Sequence, residues 1–167
     1  RACYQNNLNP DEFDYKNLER GKYILRILAM DVGDKRIGMA VSDEMGWTAQ
    51  GIETLERKVE SEDLERIREI IKYYSPEKIV IGLPKNMNGT LGFQGEKVKE
   101  FGELLKSKVF SGEIIYWDER LTTAHAHRVM LEGDMSRRKR KKKVDKIAAV
   151  FILQSYLDYL NNQKKES

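Results

Sequence analysis

Lys78-Ile79-Val80-Ile81-Gly82-Leu83 is apolar through its centre, with no alternation of polar and apolar residues. Such a strand has no face to give to water, so it predicts an interior parallel strand covered by helices on both sides. The flanking sequence supplies the rest of that layer. Strands are predicted at 24–32, 36–43 and 49–56, the first two joined by the Gly33-Asp34 turn, which gives an antiparallel meander. A helix over 62–74 carries Leu64, Ile67, Ile71 and Tyr74 on one face, with Ser61 as its N-cap and Pro76 as its stop. After the apolar strand, a loop from Pro84 to Gly95 leads into a helix with Val98, Phe101 and Leu105 on its buried face. A last strand from Glu113 to Trp117 ends in Asp118-Glu119. Helices are then expected from Thr122 to Leu131, stopping at Gly133, and from Asp145 to Leu160. The order βββαβαβαα predicts a mixed sheet with helices on both faces.

At 167 residues the chain is long enough to bury a core without staples. One domain is expected over 24–160. Residues 1–23 are rich in Asn, Asp, Glu and Tyr without periodicity and read as an extension or expression remnant, and 161–167 as a tail. The single cysteine, Cys3, cannot form an intramolecular disulfide, and no apolar run is long enough for a membrane span. The expected location is the cytoplasm.

The net charge of +3 is uneven, because Arg137-Arg138-Lys139-Arg140-Lys141-Lys142-Lys143 alone carries +7 and leaves −4 on the remainder. A concentrated patch of this kind predicts one docking point for nucleic acid, where Lys and Arg neutralise phosphates and release counterions. The competing reading is a solvated tail. The run lies between two predicted helices, and is expected to be a loop that substrate orders. The Pro84–Gly95 loop is a second candidate contact, with Asn86 and Asn88 able to donate to phosphate or sugar and Gly89, Gly92 and Gly95 permitting close approach. No base-reading element is visible, so recognition by the shape of structured RNA or branched DNA is expected.

Metal-dependent phosphodiester hydrolysis needs several carboxylates on one small surface, holding hard cations about 3.5 to 4 Å apart. Asp31 lies at the C-terminal end of the first strand and Asp118-Glu119 at that of the last. If those strands are parallel, the acids share one sheet edge, the edge where open sheets bind ligands. Asp145 opens the final helix and serves either the metal or the helix N-terminus. Each acid also has a plainer role: Asp31 as a turn residue, Asp118-Glu119 as local ion partners of Arg120. His125 and His127, two apart on a predicted helix, point in different directions and make a poor ligand pair. Of Asp118 and Glu119, the longer Glu119 is expected to face the metal, leaving Asp118 to orient Arg120 or a backbone amide.

Four motifs occur in order: Asp31-Val32-Gly33 with Arg36-Ile37-Gly38; Ile81-Gly82-Leu83-Pro84 with Asn88-Gly89; Asp118-Glu119-Arg120-Leu121-Thr122-Thr123; and Asp145-Lys146-Ile147-Ala148-Ala149-Val150 with Leu153. Over residues 24–160 the chain resembles the YqgF family, described both as Holliday-junction resolvases and as nucleases maturing the 5′ end of pre-16S ribosomal RNA. The resemblance implies an RNase H-like fold with three antiparallel and two parallel strands, related to RuvC-type resolvases. It also implies an acidic site using Mg²⁺ or Mn²⁺, with Asp31, Glu119 or Asp118, and Asp145 as its acids. RuvC-type enzymes place an acid near the end of the fourth strand, where this chain has Gly82-Leu83-Pro84. Glu119 can substitute from the fifth strand, or the site can hold one ion.

The leading expectation is therefore a metal-dependent endonuclease on structured nucleic acid, processing pre-16S RNA. A junction resolvase, which would favour a homodimer over a monomer, and a non-catalytic factor in ribosome maturation are the alternatives. An ATP-using enzyme of the actin and sugar-kinase type fits poorly, because the chain has no second phosphate-binding hairpin.

Overall fold

The computed structural model describes residues 26–122 and 137–166, with the side chains of 137–145 outside that description. The readings of 1–23, of the 122–131 helix and of His125 and His127 therefore fall outside the described residues. Five strands form one sheet in the order β3-β2-β1-β4-β5. They are β1 (Ile27–Val32), β2 (Arg36–Ser42), β3 (Ala49–Glu56), β4 (Lys78–Leu83) and β5 (Glu113–Asp118). The first three are antiparallel, and β4 runs parallel to both β1 and β5. The wholly apolar strand is thus interior, as its composition requires.

Two helices, α1 (Glu60–Tyr74) and α2 (Phe93–Lys108), cover one face of the sheet. They pack Leu64, Ile67, Val98, Phe101 and Leu105 onto Leu28, Met30, Ile37, Met39, Ile79 and Ile81. The α1 helix starts one residue before Ser61, so the expected Ser61 cap is not made. Val59 is the N-cap, and the buried Asp63 accepts from the Lys58 amide at 3.1 Å instead. At the other end Ser75 takes the left-handed conformation, φ 47°, and Pro76 prevents continuation.

The opposite face carries α3 (Arg137–Glu166). The sheet residues beneath it are small: Ala29, Ala40 and Val80 meet Ala149, Ile152, Leu153, Tyr156 and Leu157. Glycines continue this surface. A Cβ on Gly51 would lie 2.6 Å from the Lys146 stem, and one on Gly82 would lie 2.4 Å from Ile152 Cδ1. Polar contacts fix the helix direction: Gln154 donates to the Trp47 carbonyl at 2.9 Å and accepts from the Ala49 amide at 3.1 Å, and Asn161 donates to the Gly46 carbonyl at 3.1 Å. Towards its N-terminus α3 therefore runs from the β2–β3 turn to the end of the sheet where β1, β4 and β5 finish.

α3 is longer than the sequence predicts. The basic run 137–143 is its first two turns, not a loop, and the helix continues through Glu166. Lys and Arg are good helix formers, and a charge run alone does not mark a break. Asp145 accordingly lies about two turns inside the helix and does not open it. Truncating Leu153 to Ala removes a fully buried side chain from the centre of the α3 face. It should lower the unfolding free energy by roughly 2–5 kcal/mol. Urea denaturation measures this, and a loss well below that range would mean that α3 is not docked as described.

Candidate active site

Side chains alternate across a strand, so Ile37 and Met39 facing α1 and α2 put Arg36, Gly38 and Ala40 on the α3 side. By the same alternation Asp31 follows Ile27 and Ala29 to the α3 side of β1. Its cross-strand partner in β2 is Gly38, and continuing the Met30–Ile81 register by one residue sets Gly82 beside it in β4. Asp31 is thus flanked on both neighbouring strands by residues without side chains.

The turn that follows is rigid. The Gly33 amide donates to the Arg36 carbonyl at 2.8 Å, and a Cβ on Gly33 would come within 3.0 Å of that oxygen. From outside, the Arg57 amide donates to the Lys35 carbonyl at 2.9 Å and Arg57 Nη1 to the Gly33 carbonyl at 3.0 Å. Asp34 pairs with Lys97, and Asp43 accepts from the Trp47 and Thr48 amides, so both belong to turns, as their positions suggest.

Glu119 leaves β5 in a short 3-10 turn, Glu119–Leu121. Asp118 begins that turn by accepting from the Arg120 amide, and the Thr122 amide and hydroxyl both donate to the Glu119 carbonyl. Ser155 of α3 donates to the Leu121 carbonyl while accepting from Trp117 Nε1. Trp117 in turn packs edge-on against Tyr156. These bonds direct the Glu119 side chain inward over Gly82, where a Cβ would meet Glu119 Oε1 at 2.8 Å. The glycine in β4 and the glutamate after β5 therefore share one space, and the carboxylate lies over the strand position that adjoins Asp31.

The two adjacent acids have opposite environments. Burial pushes the Glu119 carboxyl above its ordinary value, with the Asp118 charge adding to the rise. Asp118 is held below its ordinary value, chiefly by the side-chain hydrogen bonds from Arg120. Arg120 Nε reaches both Asp118 oxygens at 3.1 Å and Nη2 reaches Oδ2 at 2.7 Å. The same guanidinium lies against the 84–92 loop, with Nη1 3.4 Å from the Met87 carbonyl. Within that loop Asn86 donates to the Thr90 hydroxyl, and Asn88 accepts from the Thr90 amide and hydroxyl. Both Asn side chains remain exposed, and α2 begins at Phe93, before the loop end expected at Gly95.

Among the described residues no three acidic, His or Cys side chains group tightly enough to hold an ion. The third predicted acid, Asp145, and the basic side chains Arg137 to Lys143 lie outside the described side chains. The backbone at 145 adjoins Lys146, which lies over Gly51, and is one helical turn before Ala149 on the sheet-facing stripe. Arg36 was not among the predicted site residues. The signal that could have found it is its even spacing from Gly38, and hence its place on the Asp31 side of the sheet.

The family described as RuvX, Holliday junction resolvase, matches residues 25–159. The chain belongs to the RuvX family. This is the family that the YqgF motifs anticipate. A relative from Clostridium tetani named "Putative pre-16S rRNA nuclease" is 59% identical over 139 residues, covering 83% of this chain and 100% of its own length. One of the same name from Clostridium novyi is 60% identical over 134 residues, covering 80% of this chain and 98% of its own. The fold of this RuvX-family chain is the RuvC-like RNase H fold. Thermus thermophilus RuvC in complex with a Holliday junction substrate superposes with a TM-score of 0.53 at 10% identity, over 81% of this chain and 96% of that one.

The raised pKa of Glu119 gives a signed expectation for the RuvX-family fold. The folded state binds the Glu119 proton more tightly than the unfolded state does. Its contribution to stability is present below the ordinary value of 4.5 and is lost as pH rises through the raised folded value. Glu119→Gln should remove this loss, so that in chelator the variant melts no lower than wild type at neutral pH. Melting curves across pH 4–8 (about the range in which shifted carboxylates titrate) test this, and a destabilised Gln variant would place the carboxylate in a stabilising pair instead.

Proposed function

We propose that this chain is a metal-dependent endonuclease of the cytoplasm that cleaves structured nucleic acid, with the 5′ end of pre-16S ribosomal RNA as its substrate. The observation that carries the reading is the convergence at one end of the sheet. Asp31 stands between two glycines, the half-buried Glu119 lies over one of them, and the basic end of α3 reaches the same end. The names of the Clostridium relatives favour ribosomal RNA as substrate.

The residues fit a hard divalent cation. Carboxylate oxygens are its preferred donors, and the desolvated Glu119 carboxylate is a group that a cation would stabilise. Asp31, Glu119 and Asp145 would hold Mg²⁺ or Mn²⁺, while Asp118 is committed to Arg120. Such an ion supplies activation of water and stabilisation of the leaving oxygen. The protein's part is placement. Gly82 makes room for the Glu119 carboxylate beside Asp31, and Arg120 ties the 84–92 loop to the turn bearing Glu119.

The seven basic residues neutralise substrate phosphates. Their position is costly for the helix itself, because cations at a helix N-terminus oppose the macrodipole and like charges at i,i+4 repel. Binding of a polyanion relieves both costs.

Asp31→Asn should retain RNA binding while cleavage falls by at least about 100-fold, the size of effect expected when a charge at the reacting centre is lost. Incubation of a pre-16S RNA fragment and a four-way DNA junction, each with Mn²⁺ and with chelator, provides the assay. Cleavage of the junction alone would move the substrate to DNA, and wild-type activity in the Asn variant would remove Asp31 from catalysis. Calorimetry with Mn²⁺ separates the neighbouring acids: Glu119→Gln should lose the binding heat and Asp118→Asn should keep it.

Replacing Arg138, Arg140 and Lys142 together by Glu should flatten the salt dependence of RNA and DNA binding alike, by roughly 0.9 in log–log slope for each phosphate that is no longer neutralised. Thermal stability should not fall, because acids suit a helix N-terminus. Unchanged binding at low salt would show that the run is a solvated helix end.

A further inference from the structure

Arg36 opens β2 with part of its guanidinium turned into the protein. Nε and Nη1 are buried and have no hydrogen-bond partner among the described residues. Glu56 is its register partner in β3, yet neither nitrogen is bonded to it. Leaving a buried donor unpaired forfeits its hydration with nothing in return, the more so for a charged group. A Met would fill similar space without the penalty, so the position is poorly explained by packing.

Its placement gives it a use. The residue lies on the α3 side of the sheet, two positions from Gly38, which opposes Asp31. Its backbone is clamped by the bond from the Gly33 amide to its carbonyl, and the Arg57 bonds hold the rest of the turn. The residue as a whole is only partly buried, so the guanidinium can turn outward without unfolding the strand. A phosphodiester approaching Asp31 and Glu119 meets carboxylates of its own sign, and a nearby guanidinium offsets that repulsion. Guanidinium N–H groups match phosphate oxygens in geometry and charge.

We infer that Arg36 is a substrate-binding residue that grips a non-bridging phosphate oxygen of the nucleic-acid backbone beside Asp31; this rests on the nuclease reading of the same site. The test compares wild type, R36M and R36K by anisotropy with a labelled RNA duplex in chelator over a range of salt, by thermal unfolding, and by cleavage of the pre-16S fragment in Mn²⁺. R36M should melt at or above wild type, bind with a log–log salt slope shallower by about 0.9, and cleave at least about tenfold more slowly, as when one hydrogen bond to a charged group is removed. R36K should keep the slope, because the charge remains, and cleave at a rate between the two, because the planar donor set is gone. An R36M protein with wild-type slope and wild-type cleavage would overturn the inference. So would one that melts well below wild type with an unaltered slope, which would make Arg36 a structural residue. If wild type itself binds neither the RNA duplex nor a DNA junction, the nuclease reading falls first and this inference with it. An unchanged slope in R36M beside a normal wild type sinks the inference alone.

Discussion

α3 lies against a sheet face built from Ala29, Ala40, Val80 and glycines, and this close packing fixes the position of everything at the acidic end. Where Ile152 and Glu119 crowd Gly82, any side chain on β4 would displace both. The helix could not then approach β4, and the 3-10 turn after β5 could not fold its carboxylate inward. Small residues in the middle of a sheet weaken it locally, since they bury little apolar area. The opposite face compensates: Leu28, Met30, Ile37, Met39, Ile79 and Ile81 are all fully buried against α1 and α2. One face of the sheet buries large side chains under α1 and α2, and the other is shaped for the close approach of α3.

Two adjacent carboxylates do different work because their surroundings pull them apart. Asp118 is saturated by Arg120, which also touches the Met87 carbonyl, so its charge serves to order the turn and the 84–92 loop. Glu119, one residue on, loses water without gaining a comparable partner among the described residues, and its affinity for protons rises. Opposite shifts within one turn fit the proposed division, in which Asp118 orders the turn and Glu119 serves the reaction.

Much of this was legible in the sequence, for identifiable reasons. The apolar centre of Lys78–Leu83 could only be an interior strand, and the periodicities of Leu64, Ile67, Val98 and Phe101 marked two helices against it. Parallel β1, β4 and β5 then brought Asp31 and Glu119 to one edge. The errors have a common source, which is that local propensity does not report tertiary support. Lys and Arg permit helix, and whether 137–143 forms one depends on the turns that follow being docked, so the run read as a loop. Ser61 is a good cap by type, but the helix begins earlier because Asp63 satisfies the Lys58 amide. The occupation of the Gly82 space by Glu119 joins residues far apart in the chain, and no single window contains it. Arg36 was hidden in the same way: its motif was visible, but an unpaired nitrogen is a property of the packed structure.

Three unfavourable features collect at one end of the sheet. Glu119 is a partly desolvated carboxylate, Arg36 has buried donors without acceptors among the described residues, and α3 begins with seven cations where a helix prefers acids. Each alone is a modest loss of stability, and natural sequences otherwise avoid such conflicts between local and global preference. Their signs are complementary in space. The acids gain from a cation, and Arg36 and the helix end gain from polyanionic oxygen. On the proposed function, a metal ion bound together with a phosphate backbone would meet both demands at once, whereas either species alone would leave one set of charges unbalanced. On the same reading, the stability forgone at this end of the sheet becomes affinity for a metal and a nucleic-acid backbone bound together, and the apolar clusters on both faces of the sheet let the fold tolerate the loss.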